Sequence, residues 1–294
     1  LSWRLYSHCS KVREKSMNIQ VVSPSNVKKR LFLVRATYFF VRYWLILFLA
    51  LFGIYNLLPF AAPVAMRLGW TPIGSAIYDL YTTQCHQMAQ RSFFLFGAQP
   101  MYNLDELPLR LTDKSLPDML ILRGFRGSDV FGWKVAWSDR MVYMYGSLWS
   151  ITAVYWILSR RRPWKPLRLG IVALLLAPMA VDGITHLLSD GNGLSAGFRY
   201  DNAWLAALTN NVFADSFYRG DTLGSFNSII RFVTGVLFAV ATGGLALPLL
   251  DWEMRRSEFA LRAKLNAYHR KIESALQANT STTGMYHDRS LDNG

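Results

Sequence analysis

The chain has 294 residues, a net charge of +13 and a pI near 9.9, with 52% apolar and only 17% charged residues. A soluble domain carries about a quarter charged residues, so this composition excludes an ordinary soluble domain and makes lipid part of the solvent. The basic excess clusters beside apolar runs instead of covering one polar face, which argues against nucleic acid as a partner and for membrane orientation.

Residues 1–42 read as a basic cytoplasmic segment, in which Arg4, Lys11, Arg13, Lys15, Lys28, Lys29, Arg30, Arg35 and Arg42 face Glu14 alone. No small-residue cleavage site follows the first apolar run, so no removed signal peptide is expected. The sequence opens on Leu1, and Met17 offers an alternative start.

A span needs about 20 apolar residues to cross the hydrocarbon core. Four stretches qualify within a transmembrane domain over residues 43–250, at about 43–65, 141–158, 169–188 and 229–250. The tight loop between the second and third spans holds Arg160, Arg161, Arg162, Lys165 and Arg168 with no acid. Arg255, Arg256, Arg262, Lys264, Arg270 and Lys271 follow the fourth span. Lysine and arginine enrichment marks cytoplasmic flanks, so both termini are expected inside. The loops over 66–140, nearly balanced in sign, and over 189–228, slightly acidic, are then outside. The expected location is the bacterial inner membrane.

Outer loops longer than about 15 residues usually carry structure or function. An interfacial helix is expected over 77–96, and a second over 203–217, where Trp204, Leu208, Val212 and Phe217 recur near helical spacing. Past the last span, Leu261, Leu265, Tyr268, Ile272 and Leu276 recur beside a basic face, which predicts an amphipathic cytoplasmic helix over 251–277 resting on anionic lipid or a partner subunit. Residues 278–294 read as a polar, mobile tail, and there is no internal repeat. The fold class expected is an all-α membrane protein of four transmembrane helices, with interfacial helices in both outer loops.

Three groups could carry chemistry. The first is Cys85-His86-Gln87 with Arg91 shortly after. Cysteine and histidine suit zinc, copper or haem iron, yet a complete site needs three or four ligands and sequence neighbours on a helix point apart. Cys85 and His86 are therefore candidate metal ligands, against the plainer reading of a small buried thiol beside an interfacial histidine. Cys9 falls on the other side of the membrane, so no disulfide framework is expected.

The second group, Trp133-Lys134-Val135-Ala136-Trp137-Ser138-Asp139-Arg140, reads as an aromatic belt with Arg140 snorkelling, which leaves Asp139 unexplained. The third lies inside the third span, where Asp182 and His186 are four apart on one helix face. A charge there costs about 2.5–3.5 kcal/mol on insertion scales, so Asp182 needs a partner, and Arg231 of the fourth span is the expected one. That pair means either helix registration or a functional site. His86 and His186 are candidate cofactor ligands of unknown cofactor. Arg91, Ser138, Asp139, Arg140, Asp182, His186 and Arg231 all fall at one depth, in the outer half, as one polar cluster would require. Gly183 and Gly235 could allow close backbone approach there.

The segments CHQMAQRSFFLFG, KVAWSDRMVYMYG, DGITHLLS and IIRFVTGVLF resemble, in that order, an uncharacterised family of bacterial integral membrane proteins, a domain of unknown function marked by Cys-His-Gln and Arg-Ser-Phe. The likeness covers roughly residues 77–238 and implies architecture without an activity. Members of that family look like Cys-x-x-Cys or Cys-x-x-Arg where this chain has Trp137-Ser138-Asp139-Arg140, so Ser138 stands in place of a second cysteine. If the resemblance implies a metal or redox pair, this chain has lost it.

No nucleophile and base occur at a recognisable spacing. The leading expectation is thus a non-catalytic accessory or scaffold subunit of a larger membrane complex, such as a photosynthetic or respiratory one, in contact with lipid and protein partners. The alternative is a cofactor- or metal-binding protein with its polar site in the outer half. A small transporter or membrane enzyme comes third.

Overall fold

The computed structural model describes residues 24–112, 114–159 and 164–288. Cys9, Met17, most of the basic N-terminal segment, Arg160, Arg161 and Arg162 lie outside the described residues. The chain divides into two compact units. In the smaller, Arg35 Nη2 lies 3.1 Å from His269 Nε2. The larger, Arg42–Arg256, contains the features below.

Among the described residues, four helices are long and apolar enough to cross a membrane: α1 (Pro24–Arg67), α4 (Asp139–Leu158), α5 (Leu169–Gly191) and α9 (Phe226–Asp288). Hydrocarbon offers no partners to a bare amide, so a chain crossing it bonds its backbone internally as a helix. Pro59, Pro63, Pro178 and Pro248 sit inside these helices, which membrane helices tolerate because neighbouring groups re-satisfy the freed carbonyls. The outward faces are apolar: Leu57, Leu174 and Leu187 are each about two-thirds exposed or more. The amphipathic stretch at 251–277 is the continuation of α9 and no separate element, and helix runs on through most of the segment read as a mobile tail, to Asp288.

The segment between α1 and α4 departs from the all-α expectation. It holds α2 (Thr71–Thr82), a 3₁₀ turn at Ala89–Arg91, strand β1 (Ser92–Leu95), α3 (Ser115–Gly124) and strands β2 (Gly127–Ser128) and β3 (Gly132–Ser138). The strands form an antiparallel sheet in the order β1-β3-β2, with Ser92 opposite Ser138 and Phe94 opposite Lys134. The helix expected within 77–96 is the last part of α2, which starts earlier and ends at Thr82. Gln87 is left-handed, with φ 52°, and the aromatic run at Phe93 and Phe94 pairs with β3 instead of coiling. At the tight end Gly132 has φ 75°, and a Cβ there would sit 2.3 Å from the Leu95 carbonyl oxygen, so only glycine fits.

Between α5 and α9 lie α6 (Phe198–Asp201), α7 (Ala203–Leu208) and α8 (Asp215–Tyr218). The single helix expected over 203–217 is broken because Asn210 and Asn211 both adopt positive φ, 53° and 55°, a conformation asparagine tolerates better than most residues.

An aromatic cluster joins α1 to the sheet. Tyr55, Tyr81, Trp137 and Tyr145 meet with ring centroids 5.2–5.9 Å apart, and Ala62, Ile77, Cys85 and Val135 pack in the same core. Rings at these separations add about 0.5–1.5 kcal/mol per pair beyond their area. The cluster fixes the strand-to-helix corner at Ser138 against α1.

Candidate functional site

Strand β3 runs into α4 without a connecting residue, so the corner places Trp137, Ser138, Asp139 and Arg140 in fixed, different directions. Successive helix residues point about 100° apart. Asp139 faces α9, where its Oδ2 accepts from Arg231 Nε at 2.8 Å. Arg140 faces α5, where its Nη2 donates to Asp182 Oδ2 at 2.7 Å. Asp139 also accepts the Arg140 N–H at 2.7 Å in the first turn of its own helix, a favourable place for a negative charge.

The expected pair of Asp182 with Arg231 does not form. Asp182 lies between Arg140 and Arg199, the latter donating to Oδ1 at 2.7 Å. Arg231 lies between Asp139 and Asp221, donating from Nη1 to Asp221 Oδ1 at 2.7 Å. At this depth α4 supplies a partner to each, through two adjacent residues of opposite charge.

Arg91 closes the set. Its Nη1 and Nη2 grip Asp190 at 2.7 and 2.8 Å in a bidentate fork, and its Nε donates to Asp221 at 2.9 Å. Asp190 sits in the last turn of α5, the unfavourable end for a carboxylate, and the fork neutralises it. Burial works against the Arg91 charge, yet Asp221 and Asp190 outweigh it and hold its pKa above the ordinary arginine range. Burial likewise opposes ionisation of Asp221, and Arg91 and Arg231 hold its carboxyl well below the usual range. For Arg199 burial is the largest influence and pulls its pKa down against Asp182.

Four arginines and four aspartates thus make two linked groups. One runs Asp190, Arg91, Asp221, Arg231, Asp139, and the other runs Arg140, Asp182, Arg199. All eight carboxylate oxygens of these aspartates accept a hydrogen bond from an arginine or a backbone amide. The donors are not all used. Among the described residues, Arg140 Nε and Nη1 have no hydrogen-bond partner, and Arg199 Nε and His186 Nδ1 are buried without one. Arg199 Nη2 lies 3.1 Å from His186 Nε2. A guanidinium facing Nε2 requires a lone pair there, which puts the imidazole proton on Nδ1.

A cavity of about 280 Å³ opens beside this network. Cys85, His86, Arg91, Ser138, Asp139, Arg140, His186 and Arg231 line it, and Asp182 stands behind Arg140. The polar residues that the sequence placed at one depth therefore converge in space. Cys85 Sγ lies 3.4 Å from Ser138 Oγ and accepts the N–H groups of Gln87 and Ser138, each at 3.4 Å. The left-handed turn at Gln87 aims its amide at the sulfur. His86 is exposed at the cavity rim, and its carbonyl accepts from Arg123 Nε at 3.1 Å. Among the described residues no group of three or more histidine, cysteine, aspartate or glutamate side chains could hold a metal ion.

Lys134 supports the cavity wall from behind. It is fully buried, and its Nζ donates to the carbonyls of Gln87, Leu122 and Arg123 at 2.7, 3.2 and 2.7 Å. Burial pushes its pKa down to about 7. The three carbonyls oppose that shift, because only the ammonium has a proton for each. The loop at Gln87 is thereby tied to α3.

Gly235 allows the close approach expected of it. A Cβ there would meet backbone atoms of Tyr143 and Met144 at 3.0–3.1 Å, so α9 lies directly on α4. Gly183 does not serve that purpose: its nearest neighbour would be Arg140 Nη1 at 3.8 Å, across the cavity edge.

Arg199, Asp190 and Asp221 escaped the sequence reading. They lie outside the long apolar runs or at their rim, where a charge raises no alarm.

Residues 126–245 match a family described as "Predicted membrane protein (DUF2085)", less than half of the chain, and the Cys85-His86-Gln87 segment lies outside the match. An uncharacterized protein of the archaeon Methanocaldococcus jannaschii is 27% identical over 176 residues, covering 57% of this chain and 87% of the relative. No solved structure matches the chain.

Proposed function

We propose that the chain is a multi-pass membrane protein that binds a small polar ligand in the cavity at the junction of β3, α4, α5 and α9. The carrying observation is the surplus of donors there: every carboxylate oxygen of the network is engaged, while Arg140 and His186 keep N–H groups free on residues that line the cavity. A structural ion network alone has no need of a cavity lined by its own cations. The basic flanks support an orientation with both termini in the cytoplasm, which puts the cavity on the outer side of a cell membrane.

The test is a thermal-unfolding screen of the purified full chain in detergent against small neutral, cationic and anionic solutes. At least one class raises the Tm, and Gly183→Leu, which grows a side chain into open space beside Arg140, removes the rise. If no solute of any class raises the Tm, or if Gly183→Leu responds as the parent does, this reading is wrong.

A second reading, an accessory subunit of a larger membrane complex, is supported by Phe259, which is 79% exposed on the C-terminal stretch of α9. Isolation from membranes in mild detergent as a lone monomer would count against it.

A further inference from the structure

We infer that the ligand is an oxyanion, a carboxylate or phosphate group joined to a small apolar part; this rests on the binding reading above. Three features of the cavity wall select that class. The first is charge. The four arginines and four aspartates of the network balance, but every carboxylate oxygen is already engaged while Arg140 on the cavity wall keeps free N–H groups, so an anion meets open cationic donors and a cation meets only carboxylates already satisfied by arginine.

The second is hydrogen-bond polarity. Arg140 keeps Nε and Nη1 unpaired, on opposite edges of the guanidinium, and either one together with the second proton of Nη2 makes the planar fork that matches two oxygens of a carboxylate or phosphate. Ser138 Oγ accepts from the Cys85 thiol and so keeps its own proton to give. His186 is about 95% buried, lines the cavity and carries its proton on the unpartnered Nδ1. The free N–H groups of Arg140 and the Ser138 hydroxyl are donors on the cavity wall, and an oxyanion is the acceptor that uses them.

The third is size and apolar lining. Met88, Met119, Met141 and Leu187 form the rest of the wall. A volume of about 280 Å³ lies at the lower edge of small-molecule sites, roughly 300–1,000 Å³. It admits a short-chain acid or a phosphate headgroup, and methionine adapts to the shape of the apolar part.

The experiment titrates the full chain in phosphatidylcholine nanodiscs with sodium butyrate, butyramide, inorganic phosphate and choline chloride at matched ionic strength, reading Tm and calorimetric heat. A parallel set of discs contains phosphatidic acid. The expected result is saturable stabilisation by butyrate or phosphate, or by phosphatidic acid, with butyramide and choline inert. A rise from the dissolved anions identifies a soluble ligand, and one seen only with phosphatidic acid identifies a lipid headgroup. Arg140→Lys keeps the charge but loses the fork, and Ser138→Ala removes one donor without touching the ion network. Each weakens anion affinity about tenfold, the effect of one hydrogen bond to a charged group. Stabilisation by butyramide or choline with none by the anions overturns the oxyanion assignment and leaves the binding reading standing. Anion stabilisation unchanged in both variants also overturns it, because the anion then acts elsewhere. No stabilisation by any probe sinks the binding reading itself.

Discussion

The two ends of the Arg42–Arg256 bundle handle buried charge differently. At the end where α4 begins, each carboxylate is met by arginines from other parts of the chain, and Arg231 is only 1% exposed with Asp139 fully buried. At the opposite end Asp251 of α9 accepts from Tyr155 of α4 at 3.1 Å and from Arg255, one turn along its own helix, at 2.9 Å. Arg255 remains 57% exposed. A partner on the same helix with its head in water specifies nothing about tertiary structure, whereas a buried arginine shared between α4 and a distant loop fixes both.

The largest expected effect comes from Arg231→Met, which leaves Asp139 buried without its charged partner and Asp221 with Arg91 alone. Removing one side of a buried pair costs about 3–5 kcal/mol, read as a fall in the midpoint of thermal or SDS-induced unfolding. Tyr155→Phe removes one hydrogen bond at the other end and costs about 0.5–1.5 kcal/mol. Arg255→Met, at the exposed partner, costs about 0–1 kcal/mol. If the Arg255 substitution proved as damaging as the Arg231 substitution, the contrast between the two ends would be unfounded. A ratio of several-fold between them, in the same detergent, would sharpen it into a statement about which end determines the packing.

The long helices were legible because hydrophobic length is a local property: twenty apolar residues announce a span wherever they occur. Asp139, Asp182 and Arg231 were legible for the converse reason, since a charge in or beside such a run needs an explanation. Their partnering was not, because it depends on helix rotation, and one residue's step along α4 decides whether α9 or α5 is faced. The sheet was hidden as well. β3 carries the burial of a covered strand, with Lys134, Val135, Ala136 and Trp137 all enclosed, so it lacks the alternation that marks a half-exposed strand, and its tryptophans matched an interfacial belt equally well. Cys85 and Ser138 are 53 positions apart, and only the fold shows that they touch.

The distribution of partners also bears on how the protein is made. Asp139 enters the membrane region at the start of the second span, and the arginine that neutralises it, Arg231, belongs to the last. Until the fourth helix has been inserted, the nascent bundle carries an acidic group without its counter-charge. The charge balance at Asp139 is therefore closed only when the last helix is in place.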